Sequence, residues 1–152
     1  VANDERTSGE RTSTPADKQY PGEMLGLPST GRGSLASWKA RVTALLLDWA
    51  LSMAAAVGLF GTAVLTGSGW RSWMILTVFF VESAVLSVLT GGSIGQTLTR
   101  IGVYRMDGRP LGFLRGIARA ALVCLALPAM VVDGNRRGLH DLAVGTVVIN
   151  RR

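Results

Sequence analysis

Apolar residues in this chain come in blocks, and the blocks are of membrane length. One block runs from Val42 to Leu65 and a second from Trp73 to Thr90, joined by the short polar link Thr66–Ser72. The hydrocarbon core of a bilayer needs roughly 20 apolar residues as α-helix, so the pair predicts a transmembrane helical hairpin. Trp38, Lys39 and Arg41 before the first block, and Trp70, Arg71 and Trp73 at the turn, form the aromatic and cationic pattern of interfacial anchors. The small residues of Ser52–Ala56, with Gly58 and Gly61, predict a face on which another helix packs closely.

The last third is less regular. Phe113 to Val132 is apolar and helical in tone, but Arg115 and Arg119 share one face and Pro128 interrupts it. The stretch before that proline is about 15 residues, roughly 22 Å of helix, which is short for a span. A full crossing would also place Arg136, Arg137, Arg151 and Arg152 outside, against the positive-inside rule. A tilted or re-entrant third helix over 113–132 is therefore favoured over a spanning one, with both chain ends cytoplasmic.

Between the hairpin and this helix, Gly91–Gln96 turns the chain and Thr97–Gly102 reads as a short interfacial helix. Val103–Leu111 has the alternation of a β-hairpin turning at Asp107-Gly108. The β-branched run Thr146–Ile149 is expected to pair with it. The fold class is thus an all-α polytopic membrane protein, a helical hairpin plus a third helix, with a small cytoplasmic β-hairpin or strand element. The membrane domain spans 38–152.

Residues 1–37 differ in kind. They are rich in Ser, Thr, Gly, Pro and mixed charge, bury too little to offset ordering entropy, and are expected to be a disordered cytoplasmic tail. No apolar core of a signal peptide stands near Val1, so no cleavable export signal is expected. Within the tail, 20–28 is apolar and turn-rich. It reads either as a linker or as a docking peptide, carried by Tyr20, Pro21, Leu25 and Leu27, for the membrane domain or a partner subunit.

Composition supports the membrane reading. The chain has 152 residues, of which 48% are hydrophobic, with 19 glycines and a mean hydropathy of +0.33. Its net charge of +6 is uneven: the tail is slightly acidic, and nearly all basic residues beyond it are arginines near the ends of apolar blocks. No recognition fold for nucleic acid accompanies that charge, and anionic lipid headgroups are the more economical partner. Arg100, Arg105, Arg109 and Arg115 mark the connector as the cytoplasmic, headgroup-facing side.

Candidate chemistry is sparse. A single histidine and a single cysteine exclude a zinc site, a disulfide and a triad with a second histidine, and a Ser-His-Asp set built on His140 and Asp141 finds no serine in a nucleophile-elbow setting. The glycines of 91–95 lack the Lys-Ser/Thr of a phosphate loop. No enzyme, cofactor or metal is expected. Two acids stand inside the hairpin, Asp48 and Glu82, where an unpaired charge is costly. Asp48 follows Arg41 by two helical turns. Glu82 is a structural acid held by hydrogen bonds, a partner for an arginine such as Arg119, or part of a proton or cation path shared with Asp48.

Taken together, Arg41 and Asp48 in Arg-Val-Thr-Ala-Leu-Leu-Leu-Asp, Gly92–Gln96, Gly102–Pro110, and Asp141 in Gly-Leu-His-Asp-Leu-Ala-Val-Gly-Thr resemble the RDD family of bacterial membrane proteins over residues 38–150. That family is named for one arginine and two aspartates, and Arg41, Asp48 and Asp141 match them. The tail stretch Tyr20–Pro28 is similar to that of actinobacterial members, while Gln96 stands where many members carry lysine. The resemblance implies a plasma-membrane, multi-pass protein with a cytoplasmic N terminus. Some members have been proposed as cation/proton antiporters, which here implies a homo-oligomer working through Asp48 and Glu82. Small size, a docking tail and the lack of a catalytic set favour instead a non-catalytic accessory subunit or assembly factor of a larger membrane complex, for instance a respiratory one. In that case Arg41, Asp48 and Asp141 form structural ion pairs.

Overall fold

In the computed structural model, which describes residues 20–125 and 137–152, Ser37 sets where the first long helix begins. Its hydroxyl accepts a hydrogen bond from Ala40 N at 3.2 Å, so α1 (Trp38–Phe60) starts ahead of the apolar block and takes Lys39 and Arg41 into its first turn. Gly61, at φ 79°, ends the helix and its N–H closes on Val57 O at 2.8 Å. After a short α2 (Ala63–Thr66) and a 3₁₀ turn, the chain returns as α3 (Trp73–Thr90). Both α1 and the stretch Gly69–Thr90 are long and apolar enough to cross a membrane.

The two helices meet along stripes of small residues. On α1 the buried positions are Ala44, Asp48, Ser52 and Ala56, one per helical turn, and on α3 they are Phe79, Ser83, Ala84 and Ser87. Trp49 of α1 closes the seam edge-on against Phe79, with ring centroids 5.9 Å apart. The expected small-residue face is therefore displaced: Gly58 and Gly61 have open space beside them, and the packing row starts at Ala44, about two turns nearer the N terminus than Ser52.

Beyond α3 come α4 (Ile94–Leu98), β1 (Ile101–Arg105), α5 (Phe113–Cys124), α6 (Leu139–Val144) and β2 (Thr146–Asn150). The expected helix over 97–102 is corrected to Ile94–Leu98, because Ser93 and Gln96 form a capping box that starts it earlier. Gly116 lets α5 lie close on α3; a Cβ there would stand 2.5 Å from Val88 Cγ2. α5 covers the first part of the expected third helix and is roughly 18 Å long, short of a full span. Pro128, the remainder of that helix to Val132 and the tail before Tyr20 lie outside the described residues.

The expected β-hairpin is also corrected. β1 pairs antiparallel with β2, from Ile101 opposite Asn150 to Arg105 opposite Thr146. The stretch after Asp107-Gly108 forms no second strand, since Gly108 N closes a turn on Arg105 O at 3.1 Å and Pro110 has no N–H for a ladder. On the other side of β2, Gly33 N donates to Asn150 O at 2.8 Å, Asn150 N to Ser34 O at 2.9 Å and Ala36 N to Val148 O at 3.0 Å. The residues just before α1 are thus built into the sheet. Ala36, Ala44, Ile101, Val103, Leu111 and Val148 share one buried apolar cluster beneath it. Upstream, Tyr20, Leu25 and Leu27 are half-buried and Pro21 is exposed, around a turn in which Gly22 packs against Leu27 and Leu35.

Candidate functional site

Gly138 and Gly145 bracket α6 and aim its one acid inward. Gly145, at φ 68°, ends the helix and passes the chain directly into Thr146 of β2. Asp141 is wholly buried as a result. Arg41 Nη1 donates to its Oδ2 at 3.3 Å, and Arg41 Nη2 reaches Val148 O, also at 3.3 Å. Arg119 Nε of α5 donates to Asp141 Oδ1 at 3.1 Å, and Thr146 Oγ1 donates to the same oxygen at 3.1 Å. His140 Nε2 stands 3.5 Å from it. One carboxylate therefore ties together the start of α1, the middle of α5, α6 and β2.

Burial alone would raise the Asp141 carboxyl, but Arg119, His140 and Arg41 outweigh it and hold the group below the usual carboxylate range. A carboxyl depressed by folding contributes stability that is fully present above its unfolded value, near 3.9, and is lost as pH falls through the lower folded value. Melting temperature in detergent is therefore expected to hold from neutral pH to about 5 and then fall as the medium is acidified below about 4.

A second buried cluster surrounds the start of α4, whose first backbone N–H groups have no partner within the helix. Ser93 N donates to Gln96 Oε1 at 3.2 Å, Ile94 N to Glu82 Oε1 at 3.2 Å, Gly95 N to Asp48 Oδ1 at 2.6 Å and Gln96 N to Ser93 Oγ at 3.3 Å. The Ser93 hydroxyl donates to the other oxygen of Asp48. The two acids of the helical hairpin thus converge on one short helix, Asp48 from α1 and Glu82 from α3, and both act as caps. Glu82 Oε2 is buried with no hydrogen-bond partner. Gly95 makes the docking possible, because any Cβ there would run into the carbonyl of Ala44 and the carboxyl of Asp48. Gly95→Ala is expected to cost about 1–3 kcal/mol in thermal melting through this overpacking.

The structure brings Arg41 and Asp141 together as an ion pair and leaves Asp48 out of it, as the cap of α4. Of the three roles open to Glu82, the pairing with Arg119 is not the one taken: Arg119 pairs with Asp141, and Arg41 with Asp141 and Val148 O. Of the connector arginines, Arg105 bonds Asp107 and Pro110 O, while Arg100, Arg109 and Arg115 are exposed. Arg105 and Arg109 border a groove with Arg32 and Arg151 at the end of α3. Sequence reasoning missed Ser93, Gly95 and Thr146. The spacing Ser93-Ile-Gly-Gln96 was the available signal for the first two.

Between the two clusters, α1, α3 and α5 enclose a cavity of about 370 Å³. Among the described residues, no three His, Cys, Asp or Glu side chains gather as metal ligands do. The family model that matches the chain is that of the RDD family, over residues 35–145. No curated protein and no solved structure matches it.

Proposed function

Because the chain belongs to the RDD family and carries two helices of membrane-spanning length, we propose that it is a small, non-catalytic accessory subunit or assembly factor of a larger complex in the plasma membrane, a respiratory one for instance. One observation carries this reading. Both acids inside the hairpin are engaged as caps of α4, which is what a scaffold requires of them and what a moving cation would interrupt. Much of the apolar surface of α1 and α3, including Leu46, Leu59, Val81 and Leu89, is exposed and available to lipid or to partner helices. In this reading the N terminus is cytoplasmic, the connector arginines face anionic headgroups, and the chain takes no nucleic acid. The segment around Tyr20–Leu27 lies next to the sheet, where a partner subunit could add to it. The test is purification of the tagged native protein in mild detergent, with masses read for everything retained. The expected outcome is a stoichiometric set of larger membrane subunits.

A second reading, cation/proton antiport by a homo-oligomer, is favoured by one feature: Glu82 Oε2 is buried and unpartnered, close to Asp48 at the same helix start. A clean homo-oligomer whose reconstituted cation flux disappears in Asp48→Asn and Glu82→Gln would support it over the first.

A further inference from the structure

Four arginines, Arg32, Arg105, Arg109 and Arg151, line one groove of about 540 Å³ at the end of α3, and no aspartate or glutamate lines it. Backbone contacts group them in two pairs. Gly33 N donates to Asn150 O at 2.8 Å, so Arg32 and Arg151 flank a single backbone hydrogen bond. Arg105 Nη1 donates to Pro110 O at 3.2 Å, which holds its guanidinium against the turn that carries Arg109. Asn150 stands opposite Ile101, and Arg105 lies at the other end of β1, so the pairs are rooted roughly 13 Å apart.

Each pair keeps positive charge that the described residues leave unmatched. Arg105 is paired with Asp107, whereas Arg32, Arg109 and Arg151 form no ion pair among the described residues. Arg32 and Arg109 are exposed, and Arg151 Nη2 donates to Thr90 O at 2.7 Å. That bond fixes a guanidinium at the C-terminal end of α3, where the helix carries partial negative charge, and leaves its other N–H groups for a further acceptor.

An apolar track leaves the groove along the same helix. Leu89 lines the groove, and Leu89, Val85 and Val81 are exposed at spacings of four, hence on one face of α3. The track runs roughly 12 Å toward the middle of a helix long and apolar enough to cross a membrane. Cations at a helix end with an apolar face running inward suit an anionic lipid, its phosphate at the interface and its chain in hydrocarbon. Two separated pairs of cations suit two phosphates.

We propose that the groove seats the headgroup of one cardiolipin, a lipid of two phosphates. One phosphate lies on Arg32 and Arg151, the other on Arg109 beside Arg105, and an acyl chain follows Leu89, Val85 and Val81. The seat rests on the proposed reading of this hairpin end as headgroup-facing, and holds whether or not the chain serves a complex. Guanidiniums suit it because several N–H groups can meet several phosphate oxygens. Phosphatidylglycerol would engage one pair only, and a soluble diphosphate would leave the track along α3 unused.

The test uses the full chain reconstituted in vesicles of equal parts cardiolipin, phosphatidylglycerol and phosphatidylcholine, extracted in mild detergent and weighed by native mass spectrometry. One cardiolipin per chain is expected to stay bound, preferred about tenfold over phosphatidylglycerol and undisturbed by millimolar pyrophosphate. Arg32→Gln/Arg109→Gln, which removes one exposed cation from each end of the groove, is expected to lower cardiolipin retention about tenfold. Arg100→Gln/Arg115→Gln removes two exposed cations outside the groove and should leave retention within about twofold of the parent. Equal losses in the two double variants, or full retention in the first, would overturn the groove while keeping a headgroup-facing end. Cardiolipin and phosphatidylglycerol retained alike, or release by pyrophosphate, would overturn the two-phosphate seat. Phosphatidylcholine retained as well as the anionic lipids would overturn the headgroup-facing reading together with the groove.

Discussion

Asp141→Ala is expected to remove about 3–5 kcal/mol of stability, the largest single loss in the chain, because it strands two buried guanidiniums with no carboxylate between them. Arg41 and Arg119 approach Asp141 from different helices, at 3.3 Å and 3.1 Å, and their side chains are about nine-tenths buried. Neither can regain water without pulling α1 or α5 away from α6, which carries Asp141. Against the 5–15 kcal/mol typical of a folded domain, about a fifth or more of the total is at stake. Asp141→Asn keeps an acceptor for Thr146 but loses the charge, and should fall between the parent and Asp141→Ala. Pairing Asp141→Ala with Arg119→Met should recover part of the loss, because it removes one of the stranded charges. Thermal melting of the parent, Asp141→Ala, Arg119→Met and the double variant in one detergent completes the cycle, and strict additivity would contradict a shared pair.

Asp48→Ala is expected to cost about 2–3 kcal/mol, by leaving the Gly95 N–H and the Ser93 hydroxyl unmet in a buried place. Asp48→Asn retains an oxygen for Gly95 N and should lose much less. The same contrast should appear in protease sensitivity. With its caps removed, α4 is released from α1 and the connector between Thr90 and Ile101 becomes cleavable, while the helical hairpin resists. If Asp48→Ala and Asp48→Asn melted alike and were equally resistant, the cap would not be what holds α4.

How far this was legible from residues alone depends on range. The hairpin was legible because block length in a bilayer is a local property, and the blocks Val42–Leu65 and Trp73–Thr90 needed no knowledge of their neighbours, although the first helix runs over Trp38–Phe60. Start points were less so: Ser37 moves α1 forward by a cap, and Ser93 with Gln96 does the same for α4. Those signals were local too, but were masked by the apolar block in one case and the glycines in the other. The β-hairpin over 103–111 misled because Asp107-Gly108 is a sound turn, whereas the partner that wins, Thr146–Asn150, lies far along the chain. Arg41 and Asp141 stood out by resemblance, yet their direct contact, and Arg119 taking Asp141 in place of Glu82 as its partner, depend on how α5 and α6 pack. Glu82 was open among three roles, and its bond to Ile94 N came only from the placement of α4.

In the proposed function, Asp48 and Glu82 serve the fold and the chain serves a complex. The most direct measurement purifies Asp48→Asn/Glu82→Gln beside the parent in mild detergent, and reads both the co-purifying masses and cation flux after reconstitution. These isosteres keep one acceptor oxygen each for Gly95 N and Ile94 N, while an NH₂ replaces the second carboxylate oxygen and the titrating charge is gone. The same stoichiometric set of larger subunits with both proteins, and no flux from either, is the predicted result. A homo-oligomer without partners, whose flux is present in the parent and gone in the double variant, would contradict it.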